Sequence, residues 1–193
     1  MVGVPARVLV RPVLLVAITL SLPLLAGCSG LFGSSREQAN DYVGEANQAI
    51  NEHNRLFEEA RGTYTEAKEA VEAGGDVSEG EERITWTRKT MQEARGRLEE
   101  AREPLSELYD LDGDPEIKEY ARLLLNAVDA QLAAEAGEIE FYEILEQDPV
   151  LSENREEALD ILSEVDAGYE AAEDADGHAQ KLADANPELL KES

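Results

Sequence analysis

The sequence predicts an all-α protein: an elongated antiparallel up-down-up-down four-helix bundle with coiled-coil-like seams, behind a cleaved amino-terminal leader. Three observations carry that prediction. Downstream of residue 35, apolar residues recur at alternating steps of four and three, the spacing that keeps one side of a helix against its neighbours. Ala, Glu, Leu and Arg dominate that region, β-branched runs are absent and proline is rare inside it, all of which favours helix. The stretches carrying the pattern have similar lengths and short links, so consecutive helices must turn back on one another. Aromatic residues are only 5% of the chain, too few for a β-sandwich core but enough for an Ala/Leu helical one. Two long hairpins stacked as a solenoid fragment are the alternative. It is disfavoured because the internal likeness, Arg55-Leu56-Phe57-Glu58-Glu59-Ala60-Arg61 against Arg97-Leu98-Glu99-Glu100-Ala101-Arg102, reflects composition.

The leader occupies 1–27. No acid occurs before Glu37, Arg7 and Arg11 are basic, and Pro12 to Gly27 carries no charge. That run is shorter than the roughly 20 residues of a spanning helix, and Pro23 interrupts it. A basic start, a short apolar run and small residues at its end describe a secretory signal peptide. The run closes on Leu25-Ala26-Gly27-Cys28, which resembles the lipobox of bacterial lipoproteins at all four positions. The resemblance implies cleavage between Gly27 and Cys28, a covalent diacylglycerol on the Cys28 sulfur and an N-acyl lipid on the new terminus. Two or three acyl chains anchor stably where one is marginal. Cys28 is the only cysteine, so no intramolecular disulfide and no Cys-x-x-Cys metal or redox pair exists. Residues 28–35 read as the lipidated Cys and a flexible tether.

The helical body spans 36–186, with helices expected at about 36–73, 78–109, 115–147 and 150–185, and a tail at 187–193. The first seam runs Ala39, Val43, Ala46, Ile50, His53, Phe57, Ala60, Tyr64, Ala67, Val71, with Ser34 or Ser35 capping through Glu37 or Gln38 and Gly74-Gly75 as the stop. The second opens on Ser78 with Glu81 and runs Ile84, Thr87, Met91, Ala94, Leu98, Ala101, Leu105, Leu108. Pro104 inside it predicts a kink, because proline lacks the donor for the Glu100 carbonyl. The third starts at Asp114-Pro115, a cap followed by proline at the first helical position. It carries two stripes, one through Ile117, Leu124 and Gln131 and one through Leu125, Leu132 and Tyr142, so it should touch several neighbours. The fourth follows Asp148-Pro149 or Ser152 and ends before Asn186-Pro187. Each helix is roughly 50 Å long at about 1.5 Å per residue.

Charge excludes one class of function. The chain has 43 acidic and 17 basic residues, net −26, and would repel nucleic-acid phosphates. The imbalance is local: 83–102 hold six basic and three acidic residues, whereas 129–193 hold 20 acidic and three basic. The second helix is therefore expected between acidic neighbours, and the acidic far half is expected to hold cations loosely.

Candidate chemical groups are few. Asp110, Asp112 and Asp114 imitate the start of a calcium loop, but the sixth position is Pro115 and the twelfth Ala121, which breaks the match. His53 sits on the first seam. Counting from the helix ends brings it level with Gln131, so the two are expected to form a structural polar layer that fixes register. The same count sets Glu138 beside Arg88. No Glu-x-x-His pair, Walker sequence or nucleophile elbow occurs, so no catalytic or metal residue and no cofactor is expected. Trp86 lies off its seam beside Arg83 and Lys89, a candidate partner contact because exposed Trp and Arg serve as anchors.

These readings converge on a non-enzymatic interaction or scaffold module of the cell envelope. It would be held by its lipid at the extracytoplasmic face of the cell membrane, or at the outer membrane of a two-membrane envelope, with an unidentified protein partner. The alternative is a ligand-sensing or solute-binding bundle with a mid-bundle pocket lined by residues such as Phe57, Tyr64 and Tyr120.

Overall fold

The structure, a computed structural model, describes residues 33–74, 77–112, 114–187 and 189. The leader, the lipobox with Gly27 and Cys28, most of the tether, Gly75, Gly113 and most of the tail lie outside the described residues, as do the side chains of the capping serines. The described residues form five helices and no strand: α1 Gly33–Glu72, α2 Val77–Glu100, α3 Arg102–Asp110, α4 Pro115–Gln147 and α5 Arg155–Ala185. Among them, no helix is long and apolar enough to cross a membrane.

The helices pack into one body around two apolar clusters. One joins the first half of α1 (Val43, Ile50) to the end of α2, to α3 (Leu105, Leu108) and to the first half of α4 (Tyr120, Leu124). The other joins the second half of α1 (Phe57, Ala60) to the start of α2 (Ile84, Met91), the second half of α4 (Phe141, Tyr142) and the start of α5 (Val165, Tyr169). α1 lies closely along α2, and α4 along α5 and α2. At mid-height α1 meets α5 through long side chains, with the Phe57 and Tyr169 rings 5.9 Å apart.

Three boundaries differ from the sequence expectation. α1 begins at Gly33, three residues before the expected 36. The expected second helix is two: Ala101 separates α2 from α3. Its N–H reaches back only three residues, to Leu98 (3.2 Å), and the regular ladder resumes with Leu105 N–H to Ala101 O at 3.3 Å. Pro104 explains this, since it offers Glu100 no N–H; Ala101 keeps helical angles (φ −68, ψ −20), so the chain bends without turning away. The last helix begins at Arg155 and not near 150. Asp148 gathers the intervening backbone onto its carboxylate, which accepts N–H bonds from Ser152 (2.9 Å), Glu153 (2.7 Å) and Asn154 (3.2 Å). Those bonds, those of Glu153 and Ser152 foremost, hold its pKa down to about 2. They also hold Leu151 in the left-handed region at φ 49, a conformation that costs a non-glycine residue about 1–2 kcal/mol. At α4 the start agrees: Asp114 Oδ1 accepts from Glu116 N–H at 2.9 Å, with Pro115 at the first helical position.

The α4–α5 approach depends on glycine. A Cβ on Gly168 would stand 2.9 Å from Ala134 Cβ and 3.3 Å from its Cα, and neither neighbour can rotate away. Gly62 is exposed, with nothing within 4 Å of such a Cβ. Alanine at a helical glycine gains about 1 kcal/mol of propensity, whereas overpacking costs about 1–3 kcal/mol. Gly62→Ala should therefore raise, and Gly168→Ala lower, the urea midpoint of unfolding.

Candidate functional site

Between the two apolar clusters α4 turns a polar stripe inward. Gln131, Glu135, Glu138 and Tyr142 recur at steps of four, three and four, the spacing of core positions, and all are buried. α1 meets them with His53, Phe57 and Arg61. His53 and Glu135 are both 0% exposed, and His53 Nε2 lies 2.6 Å from Glu135 Oε1. Gln131 Nε2 stands 3.3 Å from His53 Nε2 and donates to Glu135 Oε1 at 3.1 Å. Nδ1 of the same histidine is 2.9 Å from Asn54 Oδ1, and its ring packs on Phe57 at 5.4 Å. The structure thus brings His53 and Gln131 together and adds Glu135, which the sequence reading omitted. The signal was present: an acid four residues after Gln131 and three before Glu138 falls on the same inward face.

Glu138 is the acceptor of the adjoining layer. Its Oε1 accepts from Arg61 Nε at 3.2 Å and Tyr142 Oη at 2.5 Å, and its Oε2 from Tyr169 Oη at 2.6 Å. This corrects the expected Glu138–Arg88 pair. Arg88 instead reaches Glu146 at 3.0 Å on the flank of α4, because Glu138 faces the bundle axis and α1 while Arg88 lies toward the surface. Burial works against the Arg61 charge, yet Glu138 and the two phenols leave its pKa raised. Burial first, and the Glu138 carboxylate second, hold the Tyr142 and Tyr169 phenols protonated and push Tyr64 up to about 12. The guanidinium also stacks 5.1 Å from the Phe57 ring centre and 5.3 Å from that of Tyr169, a cation–π arrangement.

Asp176 of α5 is a separate buried acid. It is 4% exposed; Oδ2 accepts from Gln180 Nε2 at 2.7 Å, and Oδ1 has no partner among the described residues. Burial raises its pKa. For a raised carboxyl, the stabilisation from protonation is complete below the unfolded value of about 3.9 and is lost as pH rises through the folded one. Asp176→Asn should accordingly stabilise the protein at neutral pH by about 1 kcal/mol, the scale of one unsatisfied buried group. Denaturant titrations should show that advantage shrinking as the solution is acidified.

The surface candidates are dispersed. Trp86 is 40% exposed on α2. Arg83 is bound to Glu66 (3.1 Å) and Glu79 (2.9 Å), whereas Lys89 is exposed and pairs with no described residue. The basic stretch is largely neutralised within the molecule: Arg88 by Glu146, Arg95 by Glu99, Arg97 by Glu100 and Arg102 by Asp129. A groove of about 620 Å³ opens between α1 and the α2–α3 bend, lined by five glutamates with Tyr42, Pro104 and Arg97. A second, of about 440 Å³, lies between α4 and α5 and is bordered by six acidic residues. Among the described residues, no group of three or more His, Cys, Asp or Glu is placed to hold a metal ion. No family model matches the chain, and no curated protein or solved structure is significantly similar to it.

Proposed function

We propose that the protein is an extracytoplasmic lipoprotein, anchored through acylated Cys28, whose helical body is a non-enzymatic interaction or scaffold module of the cell envelope. The observation that carries this reading is Leu25-Ala26-Gly27-Cys28 at the end of a short uncharged run. The arrangement of the body is taken as up-down-up-down, since each apolar cluster pairs the first half of one long helix with the second half of the next. α1 begins five residues after Cys28, and the Arg83–Glu66 bridge puts the start of α2 beside the far end of α1. At about 1.5 Å per residue, Trp86 and Lys89 are then held roughly 40–45 Å from the start of α1, toward the end of the rod away from the lipid. The filled middle favours a scaffold over a ligand-sensing bundle. Phe57 and Tyr120 are buried, and Tyr64 packs on Phe141 and Tyr142 at 6.0 and 5.2 Å. The acidic grooves would hold cations only diffusely.

Fractionation of cells expressing the full chain tests the anchor. Cys28→Ala should abolish incorporation of labelled fatty acid and move the protein out of the membrane fraction; unchanged labelling would overturn the lipoprotein reading. Photo-crosslinking from position 89 tests the scaffold reading. It should give one discrete adduct in intact envelopes that Trp86→Ala abolishes. An adduct pattern indifferent to Trp86 would remove that face from the interaction.

A further inference from the structure

The two grooves differ in what lies beneath their acids. Between α4 and α5 the six acidic residues have Ile161 as their one apolar neighbour. Between α1 and the α2–α3 bend there is an apolar floor of Tyr42, Ala49 and Pro104. Pro104 is buried, and Tyr42 and Ala49 are half-buried against the apolar cluster that joins α1, α3 and α4. The groove is therefore a gap in the apolar surface as well as in the acidic one. Its volume of about 620 Å³ falls within the ~300–1,000 Å³ of ligand-holding clefts. Pro104 supplies no N–H for the Glu100 carbonyl, and residues four apart share a helix face, so that carbonyl opens on the same side as the groove. Arg97 is the only cation lining it among the described residues, and it is tied to Glu100 at 3.1 Å.

Register explains why the acids there lack partners. Down α2 and into α3, the positions flanking α1 recur every seven residues as Arg83, Thr90, Arg97 and Pro104. Arg83 reaches Glu66 of α1 at 3.1 Å, and Arg97 shares the groove wall with Glu52. The opposing positions on antiparallel α1 step by sevens the other way, through Glu66, Glu59 and Glu52 to Glu45. Glu45 thus meets Glu103 and Pro104 where a base stands one heptad earlier. Glu45, Glu103 and Glu107 are exposed and take part in no ion pair among the described residues. Like charges facing across an interface are unfavourable, so these three carboxylates add nothing to the fold.

We propose that this groove is the docking site for a basic amphipathic segment of a partner protein. An apolar side chain of the segment covers Tyr42, Ala49 and Pro104. Its Lys or Arg residues reach Glu45 on one wall and Glu103 and Glu107 on the other. Charge complementarity selects this occupant over a neutral or anionic one, and the floor selects it over a bare cation, which gains nothing from apolar surface. The inference rests on the interaction-module reading and names the chemistry of the partner; it uses neither the lipid nor Trp86.

The test titrates the full-length protein, in nonionic detergent, with a peptide of leucine and lysine whose leucines recur at every third and fourth position; detergent alone is the blank. One peptide should bind per chain, with NMR amide shifts centred on Tyr42, Ala49, Glu103 and Glu107. Glu45→Gln/Glu103→Gln/Glu107→Gln should weaken binding about tenfold, the scale of three exposed ion pairs together. These side chains are exposed, so the variant folds, with a urea midpoint equal to or above wild type. Removing as many charges from the other groove, by Glu156→Gln/Glu157→Gln/Asp160→Gln, should change the affinity by less than about twofold, because distant charges are screened. A peptide with glutamine in place of leucine, and spermine, should each bind at least about tenfold more weakly, since neither covers the floor. Equal weakening by the two triple variants, undiminished binding of the leucine-free peptide, or no binding would overturn the groove. Binding lost with Trp86→Ala and kept by the groove variant would also overturn it, and would leave the interaction module standing on α2.

Discussion

Glu138→Leu should lower stability by about 3–5 kcal/mol, the cost of removing one partner of a buried charge pair. The carboxylate is 3% exposed and is the acceptor for three groups, Arg61, Tyr142 and Tyr169. Leucine leaves all three donors behind. Arg61 is 26% exposed in its side chain and can swing toward water, but only by giving up its stacking on Phe57 and Tyr169. The two phenols stay buried with nothing to receive their hydrogens, each an unsatisfied group costing about 1–3 kcal/mol. In a chain of this size each kcal/mol is worth about 2–4 °C, so the melting temperature should drop by roughly 10 °C or more. Glu138→Gln keeps one acceptor oxygen and the shape, and should lose less. A Glu138→Leu protein melting within a degree or two of wild type would show that the layer contributes no net stability.

His53→Leu is the second large effect. It strands Glu135, whose Oε1 would keep only the Gln131 amide, and it should cost about 3–5 kcal/mol for the same reason. Replacing both members by leucine removes the orphan together with its partner. Exchange of a whole buried pair for apolar residues is often neutral or favourable, so the double variant should recover most of the loss. A double-mutant cycle from urea midpoints measures this. Additive costs, with the double variant as unstable as the two singles together, would mean that the pair does not act as a unit.

Much of the architecture was legible because helices announce themselves locally. The alternating four-and-three spacing from Ala39 to Val71 marks a face that only a helix presents, and Asp114-Pro115 carries its own cap and first turn. What escaped was decided by groups acting across space. Asp148-Pro149 reads as the start of the fourth helix, and nothing in its neighbours reveals that the carboxylate collects three amides and delays α5 to Arg155. Counting from helix ends brought His53 level with Gln131, yet the same count gave Glu138 the wrong arginine. Counting gives height and not azimuth, and which side of α4 faces α1 is set by the packing of every helix together. Charge totals read more simply: the bases of 83–102 are expected between acidic neighbours, and Arg83, Arg88 and Arg102 reach Glu66 of α1 and Glu146 and Asp129 of α4, while Arg95 and Arg97 pair within α2.

An interior made only of alanine and leucine would let rods slide past one another in heptad jumps at little cost. Here a seven-residue slip of α4 would set Leu124 where Gln131 now meets His53 and strand Glu135 and Glu138 among hydrocarbon. The mid-height band works like the notch of a vernier: many alignments satisfy the grease, and one satisfies the hydrogens.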